Sequence, residues 1–178
     1  ISLSFDGQTQ YLRVADSSVF DFGQDATIFV VAKGDTLSDW RPILSKRGED
    51  GVGWQFRKDN TDFATFTVRG TTGNDGQRGG TPINGEVHVW GMRKSDLKRT
   101  QWADGNEEYD IDDRDPVPAT SSDLVIGARD QNGITAFGGV EIGEILVFDS
   151  ALSDGQVSQL QGHLAHKWGQ AGSMANEH

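Results

Sequence analysis

The stretch EILVFDSALSDGQV, residues 144–157, contains the end of a β-strand and the start of a helix, and it decides the fold. Residues 139–149 are rich in β-branched and aromatic side chains and predict a strand. Ser153 followed by Gln156 three residues later is a capping-box pattern, which predicts that a helix starts there. The chain therefore passes from a sheet into a short C-terminal helix.

The predicted helix carries one apolar stripe. Val157, Leu160, Leu164 and Trp168 recur at helical spacing, and Gly169 ends the pattern. Such a stripe packs against a sheet, so we expect Trp168 to anchor the helix to the core.

The rest of the chain indicates an all-β fold. Of its 23 glycines, several follow Asn or Asp, as in Asp104-Gly105 and Asn132-Gly133, a pairing that closes tight hairpins. Strands are predicted near 2–6, 10–14, 26–33, 42–46, 53–57, 63–69, 86–93, 99–103, 123–128 and 139–149. Short strands between regular turns predict a two-sheet antiparallel β-sandwich. Without repeats or linkers, residues 1–178 are predicted to form a single domain.

Composition excludes several classes of protein. A chain of 178 residues can bury a substantial core, and no apolar run reaches the roughly 20 residues of a membrane helix. There are no cysteines, which excludes disulfide scaffolds and thiolate metal sites. Because the first residue is Ile1 rather than Met, we expect the chain to be excised from a longer, multidomain protein.

The net charge of −11 is distributed unevenly. Residues 1–99 contain 13 basic and 13 acidic side chains, whereas residues 100–178 contain 3 basic and 14 acidic ones. This balance argues against nucleic acid or an anionic membrane as partner. The neutral half can still bind an anionic polysaccharide.

Three regions resemble laminin-G-like domains of the concanavalin A-like lectin/glucanase superfamily. They are the opening Leu3-Ser4-Phe5-Asp6-Gly7, the central segments Val87–Trp90 and Trp102–Gly105, and the closing segments Leu124–Gly127, Glu144–Asp154 and Leu164–Gly169. The resemblance implies a jelly roll of two antiparallel sheets, with the concave sheet as ligand face. It leaves function open, because this fold hosts lectins, glycosidases, lyases and adhesion modules.

Catalytic motifs are incomplete. Catalytic relatives on this fold place Glu-x-Asp-x-(x)-Glu on one strand, and Glu108-x-Asp110-x-Asp112 lacks the final glutamate. The nearby prolines Pro116 and Pro118 favour a loop there. His88, His163 and His166 fit no metal or nucleophile motif. We therefore predict a domain that is not itself an enzyme.

Carbohydrate recognition needs an aromatic plane and planar polar groups, with arginine added for acidic sugars. Alternation along 53–57 and 63–69 places Gln55, Arg57 and Arg69 together on an outer sheet face, which we expect to be an exposed row. Trp40 is the predicted exposed aromatic, and Arg78 is expected in a glycine-rich loop. The predicted carbohydrate-binding residues are Trp40, Arg41, Arg47, Gln55, Arg57, Arg69 and Arg78.

Calcium is an expected cofactor, structural or ligand-bridging. One candidate is the acidic run containing Asp110, Asp112, Asp113 and Asp115. The other is Asp130 within Arg129–Asn132, which looks like the calcium loop of the related pentraxins but has Arg129 where they carry an acid.

These observations predict a non-catalytic carbohydrate-binding module, secreted or on the cell surface, tethered within a bacterial polysaccharide-degrading enzyme or surface protein. Its ligand would be a polysaccharide or oligosaccharide, including anionic or marine polymers. The alternatives are a protein-interaction or adhesion module and a divergent glycoside hydrolase or polysaccharide lyase.

Overall fold

The computed structural model describes residues 1–34, 40–70, 74–83, 85–96, 98–113, 116–170 and 172, without the side chains of 74–77. Two six-stranded antiparallel sheets form a β-sandwich of jelly-roll type, which confirms the predicted fold class. Sheet A contains, in spatial order, β1 (Leu3–Asp6), β14 (Gly139–Phe148), β3 (Ala26–Gly34), β8 (Val87–Ser95), β9 (Lys98–Ala103) and β10 (Asn106–Asp112). Sheet B contains β2 (Leu12–Val14), β11 (Leu124–Ile126), β4 (Pro42–Arg47), β5 (Gly53–Lys58), β6 (Phe63–Arg69) and β7 (Asn74–Pro82).

Two smaller elements complete the fold. The strands β12 (Arg129–Asp130) and β13 (Ile134–Thr135) form a two-stranded ribbon near β4. The helix α1 (Asp154–Lys167) follows β14. Within the described ranges, no helix is long and apolar enough to cross a membrane.

The main core lies between the two sheets. Aromatic rings from sheet B meet those of sheet A and the loops: Trp54 stacks on Phe22 with ring centroids 5.1 Å apart, and Phe56 lies 5.7 Å from Trp90. Both tryptophans are 1 % exposed. Each side chain of this size contributes roughly 1.5–3 kcal/mol or more by burial, so these rings account for much of the attraction between the sheets.

The helix packs on the outer face of sheet A, as its stripe predicts. Ser153 and Gln156 form the complete capping box at its start. Val157 and Leu164 are buried in a second apolar cluster, and Trp168 packs against this cluster. The indole Nε1 of Trp168 donates a hydrogen bond of 3.0 Å to Glu144 on β14. The strand β14 and the helix α1 that covers it are therefore consecutive in the chain.

Two segments that we interpreted as loops are strands. The glycine-rich segment that carries Arg78 forms β7, and the acidic segment that carries Glu108 and Asp110 forms β10. The loop interpretations were wrong because both strands lie at sheet edges. An edge strand buries little, so glycine and charge are tolerated there and the usual strand pattern is weak.

The close approach of Trp168 to Gly143 provides a stability test. A Cβ atom at Gly143 would lie 2.7 Å from the Trp168 ring, whereas one at the helical Gly162 would meet open space. We expect Gly143→Ala to lower the free energy of unfolding by about 1–3 kcal/mol through overpacking. We expect Gly162→Ala to raise it by about 1 kcal/mol, because alanine is the better helix former.

Urea denaturation of both variants measures this difference. A Gly143→Ala variant as stable as the parent would show that Trp168 does not depend on this close contact.

Candidate functional site

The candidate site arises from the alternation of side chains along sheet B. The apolar side chains of β4, β5 and β6 point into the core, so Ser45, Arg47, Gln55, Arg57, Thr65, Thr67 and Arg69 lie on the opposite, outer face. The strand register places Gln55 opposite Ser45 on one side and Thr67 on the other. A polar row thus crosses the middle of the sheet.

The row is less exposed than we expected. Arg69 is exposed, but Gln55 is 1 % and Arg57 8 % exposed. The guanidinium group of Arg57 stacks on the ring of Trp40. The turn after β4 folds back, and Arg47 Nε donates a hydrogen bond of 2.7 Å to the carbonyl oxygen of Gly51. The sugar-binding hypothesis expects Arg57 and Arg69 to be exposed; Arg69 is exposed, whereas Arg57 lies against the ring of Trp40.

Four guanidinium groups converge on this face, and we call Arg47, Arg57, Arg69 and Arg129 the arginine cluster. Gln55 lies at its centre: its Oε1 accepts from Arg47 Nη1 at 2.9 Å and from Arg57 Nη1 at 3.5 Å. A Cβ atom added to Gly51 would lie 3.0 Å from Arg69 Nη1 and 3.1 Å from Arg47 Nη2, which shows how closely these two side chains approach.

Arg129 was absent from the carbohydrate-binding residues predicted from sequence. It begins β12, and its charge acts on both Arg47 and Arg57. The sequence contains one feature that could have drawn attention to Arg129: residues 100–178 contain only three basic side chains, so an arginine there is unusual. Its approach to β4 and β5 depends on long-range packing, which no local pattern reports.

The cluster is electrostatically unfavourable for the protein alone. Burial, followed by the charges of Arg57, Arg69 and Arg129, lowers the pKa of Arg47 to about 10, with Asp50 acting in the opposite direction. Burial and Arg129 also lower the pKa of Arg57, against the attraction of Asp59. At neutral pH Arg47 still carries its proton, so several positive charges are held together in a poorly hydrated place.

Polar atoms in this region also lack protein partners. Arg57 Nε, Arg129 Nε, Thr65 Oγ1 and Thr67 Oγ1 are buried without a hydrogen bond from the protein. Within the described part of the chain, none of the four arginines forms an ion pair with a carboxylate. Leaving such a group unpaired costs about 1–3 kcal/mol, so this face is unfavourable for the stability of the domain.

Trp40 lies at the margin of the cluster. It is 44 % exposed and adopts a positive φ of 63° just before β4. The guanidinium carbon of Arg57 lies 4.5 Å from the centroid of its ring, a cation–π distance. Trp40 therefore presents an exposed indole ring directly beside the guanidinium group of Arg57.

Arg78 lies on the same outer face as the arginine cluster, because the register pairs Thr65 with both Arg57 and Arg78. Arg78 is on β7, and its Nε donates a hydrogen bond of 2.6 Å to the carboxylate of Asp59. Arg41 precedes β4, and its carbonyl accepts from the Lys58 amide at 2.9 Å.

A groove of about 630 Å³ adjoins the cluster at Arg47. Its walls carry four carboxylates, Glu49, Asp50, Asp123 and Asp130, with hydroxyl groups from residues 120–122. Arg13 bridges two of the carboxylates from outside, with its Nη2 at 2.6 Å from Asp130 and its Nη1 at 3.4 Å from Asp123. The groove therefore has the opposite charge from the cluster beside it.

The predicted calcium ligands are on different sheets. Asp110 on β10 pairs with Lys98 at 2.5 Å, and that hydrogen bond is the main cause of its lowered pKa. Asp112 ends β10, Asp113 is buried, Asp130 pairs with Arg13, and Asp115 lies outside the described residues. Among the residues that the structure describes, no three acidic or histidine side chains form a group that could hold a metal ion.

The carboxylates considered for catalysis are separated by a β-bulge. The register of β10 shifts between Glu107 and Tyr109. Glu108 accepts hydrogen bonds from Gln101 and from the Thr81 amide, whereas Asp110 contacts Thr100 and Lys98. Because Gln101 and Thr100 are consecutive on β9, Glu108 and Asp110 are on opposite faces of the sheet.

Comparison with solved structures gives domains of the same fold. NanB, a sialidase from Streptococcus pneumoniae solved with Optactamide, matches with TM-score 0.74 and 15 % identity over 89 % of this chain and 27 % of that one. CBM40 of Ruminococcus gnavus IT-sialidase bound to α2,3-sialyllactose matches with TM-score 0.66 and 14 % identity over 86 % and 97 %.

A third match comes from a structure concerning the cell entry of botulinum neurotoxin type C and its interaction with two ganglioside molecules. It has TM-score 0.71 and 11 % identity over 92 % of this chain and 42 % of that one. This chain thus spans about a quarter of the NanB chain and nearly all of CBM40. At these identities the likeness establishes the fold. No curated protein matches the chain.

A family model of the concanavalin A-like lectin/glucanases superfamily matches residues 6–158. The matched region runs from the end of β1 into α1 and includes the whole arginine cluster. The chain belongs to the concanavalin A-like lectin/glucanase superfamily.

Proposed function

We propose that this domain is a non-catalytic module that binds carbohydrate at the outer face of sheet B. An acidic group of the sugar would pair with the arginine cluster. The apolar face of a pyranose ring would lie against Trp40. Guanidinium groups bind carboxylate or sulfate by charge-assisted hydrogen bonds, which are about twice as strong as neutral ones.

One observation carries the proposal: four arginines are concentrated on one sheet face without carboxylate partners in the described structure, and Arg57 Nε and Arg129 Nε are buried without hydrogen bonds. A fold does not need this arrangement, because buried like charges lower stability. Sites that bind ligands often retain such unfavourable groups, since the ligand supplies the missing partner.

The structural relatives support a glycan as the ligand class. One was solved with α2,3-sialyllactose, and another is described by its interaction with gangliosides. The proposal extends to a secreted or cell-surface location within a longer bacterial chain, in which this domain would hold a catalytic or adhesive neighbour on a polysaccharide. The catalytic alternative would need two carboxylates that face each other across a cleft. Glu108 and Asp110 are on opposite faces of β10, and Asp110, which shares its face with Asp112, is paired with Lys98.

A protein-interaction module is the second candidate, and exposed apolar side chains favour it. Leu3 on β1 is 56 % exposed, and Leu12 and Val14 on β2 are 45 % and 40 % exposed. Both strands are at sheet edges, where another chain can add a strand. This surface does not include the arginine cluster.

Binding to acidic oligosaccharides tests the first proposal. The probes are α2,3-sialyllactose, xylotriose carrying one glucuronate, and tetragalacturonate, with lactose and xylotriose as neutral controls. We expect at least one acidic probe to bind and Arg69→Ala to weaken it by about 1.5–3 kcal/mol, the contribution of a charge-assisted bond. Isothermal titration calorimetry measures the affinity.

Lys167→Ala is the charge-matched control, because Lys167 is on α1 and pairs with Glu144. Unchanged affinity in Arg69→Ala would remove this arginine from the site. Absence of binding to every acidic probe by the folded domain would overturn the proposal and favour the protein-interaction candidate.

Stability measurements on Arg57→Met distinguish a ligand site from a structural one. Methionine keeps the unbranched side chain but removes the charge and the unpartnered Nε. We expect the melting temperature to stay the same or rise, because repulsion from Arg129 is lost, while binding of the acidic probe falls at least about tenfold. A large fall in melting temperature would instead assign Arg57 a structural role.

Calcium binding by Asp110, Asp112 or Asp130 stays a prediction. A structural ion binds only the folded state, so a chelator would lower the melting temperature of a calcium-bound domain. A thermal shift assay with and without excess EDTA measures the effect, with added calcium as the reversal control. An unchanged melting temperature would remove these carboxylates as structural calcium ligands.

A further inference from the structure

We infer that the acidic groove beside the arginine cluster is a second subsite, which accepts neutral sugar residues and disfavours further anionic ones. The inference rests on the proposed function, because it concerns the part of the glycan beyond the acidic group. It assigns the ligand class as an oligosaccharide with a single acidic residue on an otherwise neutral chain.

The two subsites are continuous. Arg47 belongs to the cluster and also lines the groove, and Asp50 in the following turn lines the groove while acting on the charge of Arg47. On the opposite side, Arg129 of the cluster is followed directly by Asp130 of the groove. The sign of the charge therefore changes between residues that are close neighbours in the chain on both sides of the groove.

The negative charge of the groove is only partly compensated. Arg13 neutralises part of the charge on Asp123 and Asp130, and Arg47 is the basic residue in the walls. Glu49 is exposed and has no ion pair in the described structure. Asp50 accepts a hydrogen bond from the Val52 amide at 2.9 Å, which holds its carboxylate in this turn.

Such a groove suits neutral sugars. Carboxylates accept hydrogen bonds from sugar hydroxyl groups, and the hydroxyls of residues 120–122 can donate or accept. A volume of about 630 Å³ lies within the range of small-ligand sites. A glycan anchored at the cluster could thus continue into the groove without burying an unpaired charge.

The same groove is unfavourable for a second acidic residue. A further uronate in the groove would face four carboxylates against the single guanidinium group of Arg47, and like charges that are close together repel despite salt. The net charge of −11 adds a longer-range repulsion against any polyanion. The arginine cluster therefore binds one anionic group, and the carboxylates of the groove disfavour a run of consecutive acidic sugar residues.

Glu49 is the residue to change, because it is exposed and forms no ion pair with any residue that the structure describes. We expect the wild-type domain to bind its single-acid probe, α2,3-sialyllactose or glucuronate-capped xylotriose, more tightly than tetragalacturonate. Glu49→Gln should raise the affinity for tetragalacturonate by about threefold and Glu49→Lys by about tenfold, whereas neither variant should raise the affinity for the single-acid probe, whose neutral sugars lose a hydrogen-bond acceptor. Both gains should disappear in 1 M salt, where the screening length is about 3 Å.

Glu107→Gln is the matched control, since Glu107 is an exposed carboxylate on β10 of the other sheet. It changes the net charge equally and should leave all affinities unchanged. Equal or tighter binding of tetragalacturonate by the wild type, or no gain in Glu49→Lys, would overturn this inference and leave the proposed function standing. Failure of every acidic probe to bind would overturn the proposed function, and this inference with it.

Discussion

The period of two along β4, β5 and β6 is the constraint on which the rest of the structure depends. The aromatic side chains of β5 and the apolar side chains at the centres of β4 and β6 lie on the face that builds the core, so Ser45, Gln55 and Thr67 between them lie on the outer face. Trp54 and Phe56 hold sheet B against sheet A, and Gln55 and Arg57, which alternate with them, necessarily point outward. A register slip of one residue would bury the arginines in the core, so packing and recognition fix the same register.

The buried guanidinium groups on the outer face lower the stability of the fold, and packing in the core offsets this loss. Arg47 and Arg57 are buried beside two other guanidinium groups, and burial is the first cause of their lowered pKa. Gln55 compensates only in part, with one carbonyl oxygen shared between two arginines. The aromatic contacts between the sheets provide the stability that permits such a cluster, while the adjoining carboxylates confine its positive charge to one region of the surface.

Charge also separates this face from the other candidate surfaces. The exposed apolar side chains on the edge strands β1 and β2 are suited to a protein partner, and the arginine cluster is suited to an anion. On β10, the bulge between Glu107 and Tyr109 turns Glu108 toward Gln101 and leaves Asp110 with Lys98. A local change of one residue in register thus decides whether two carboxylates could act together.

The sequence by itself determined the fold class, the capped helix and the face on which Gln55, Arg57 and Arg69 lie, because hydrophobic periodicity and capping are local signals. The edge strands β7 and β10 were not predicted, because edge positions tolerate glycine and charge and show little burial pattern. Long-range packing brings Arg129 to the cluster, places the ring of Trp40 against Arg57 and pairs Arg78 with Asp59. These contacts join residues that are many positions apart in the chain. Such contacts produce no periodic pattern in the sequence, so they cannot be predicted from it.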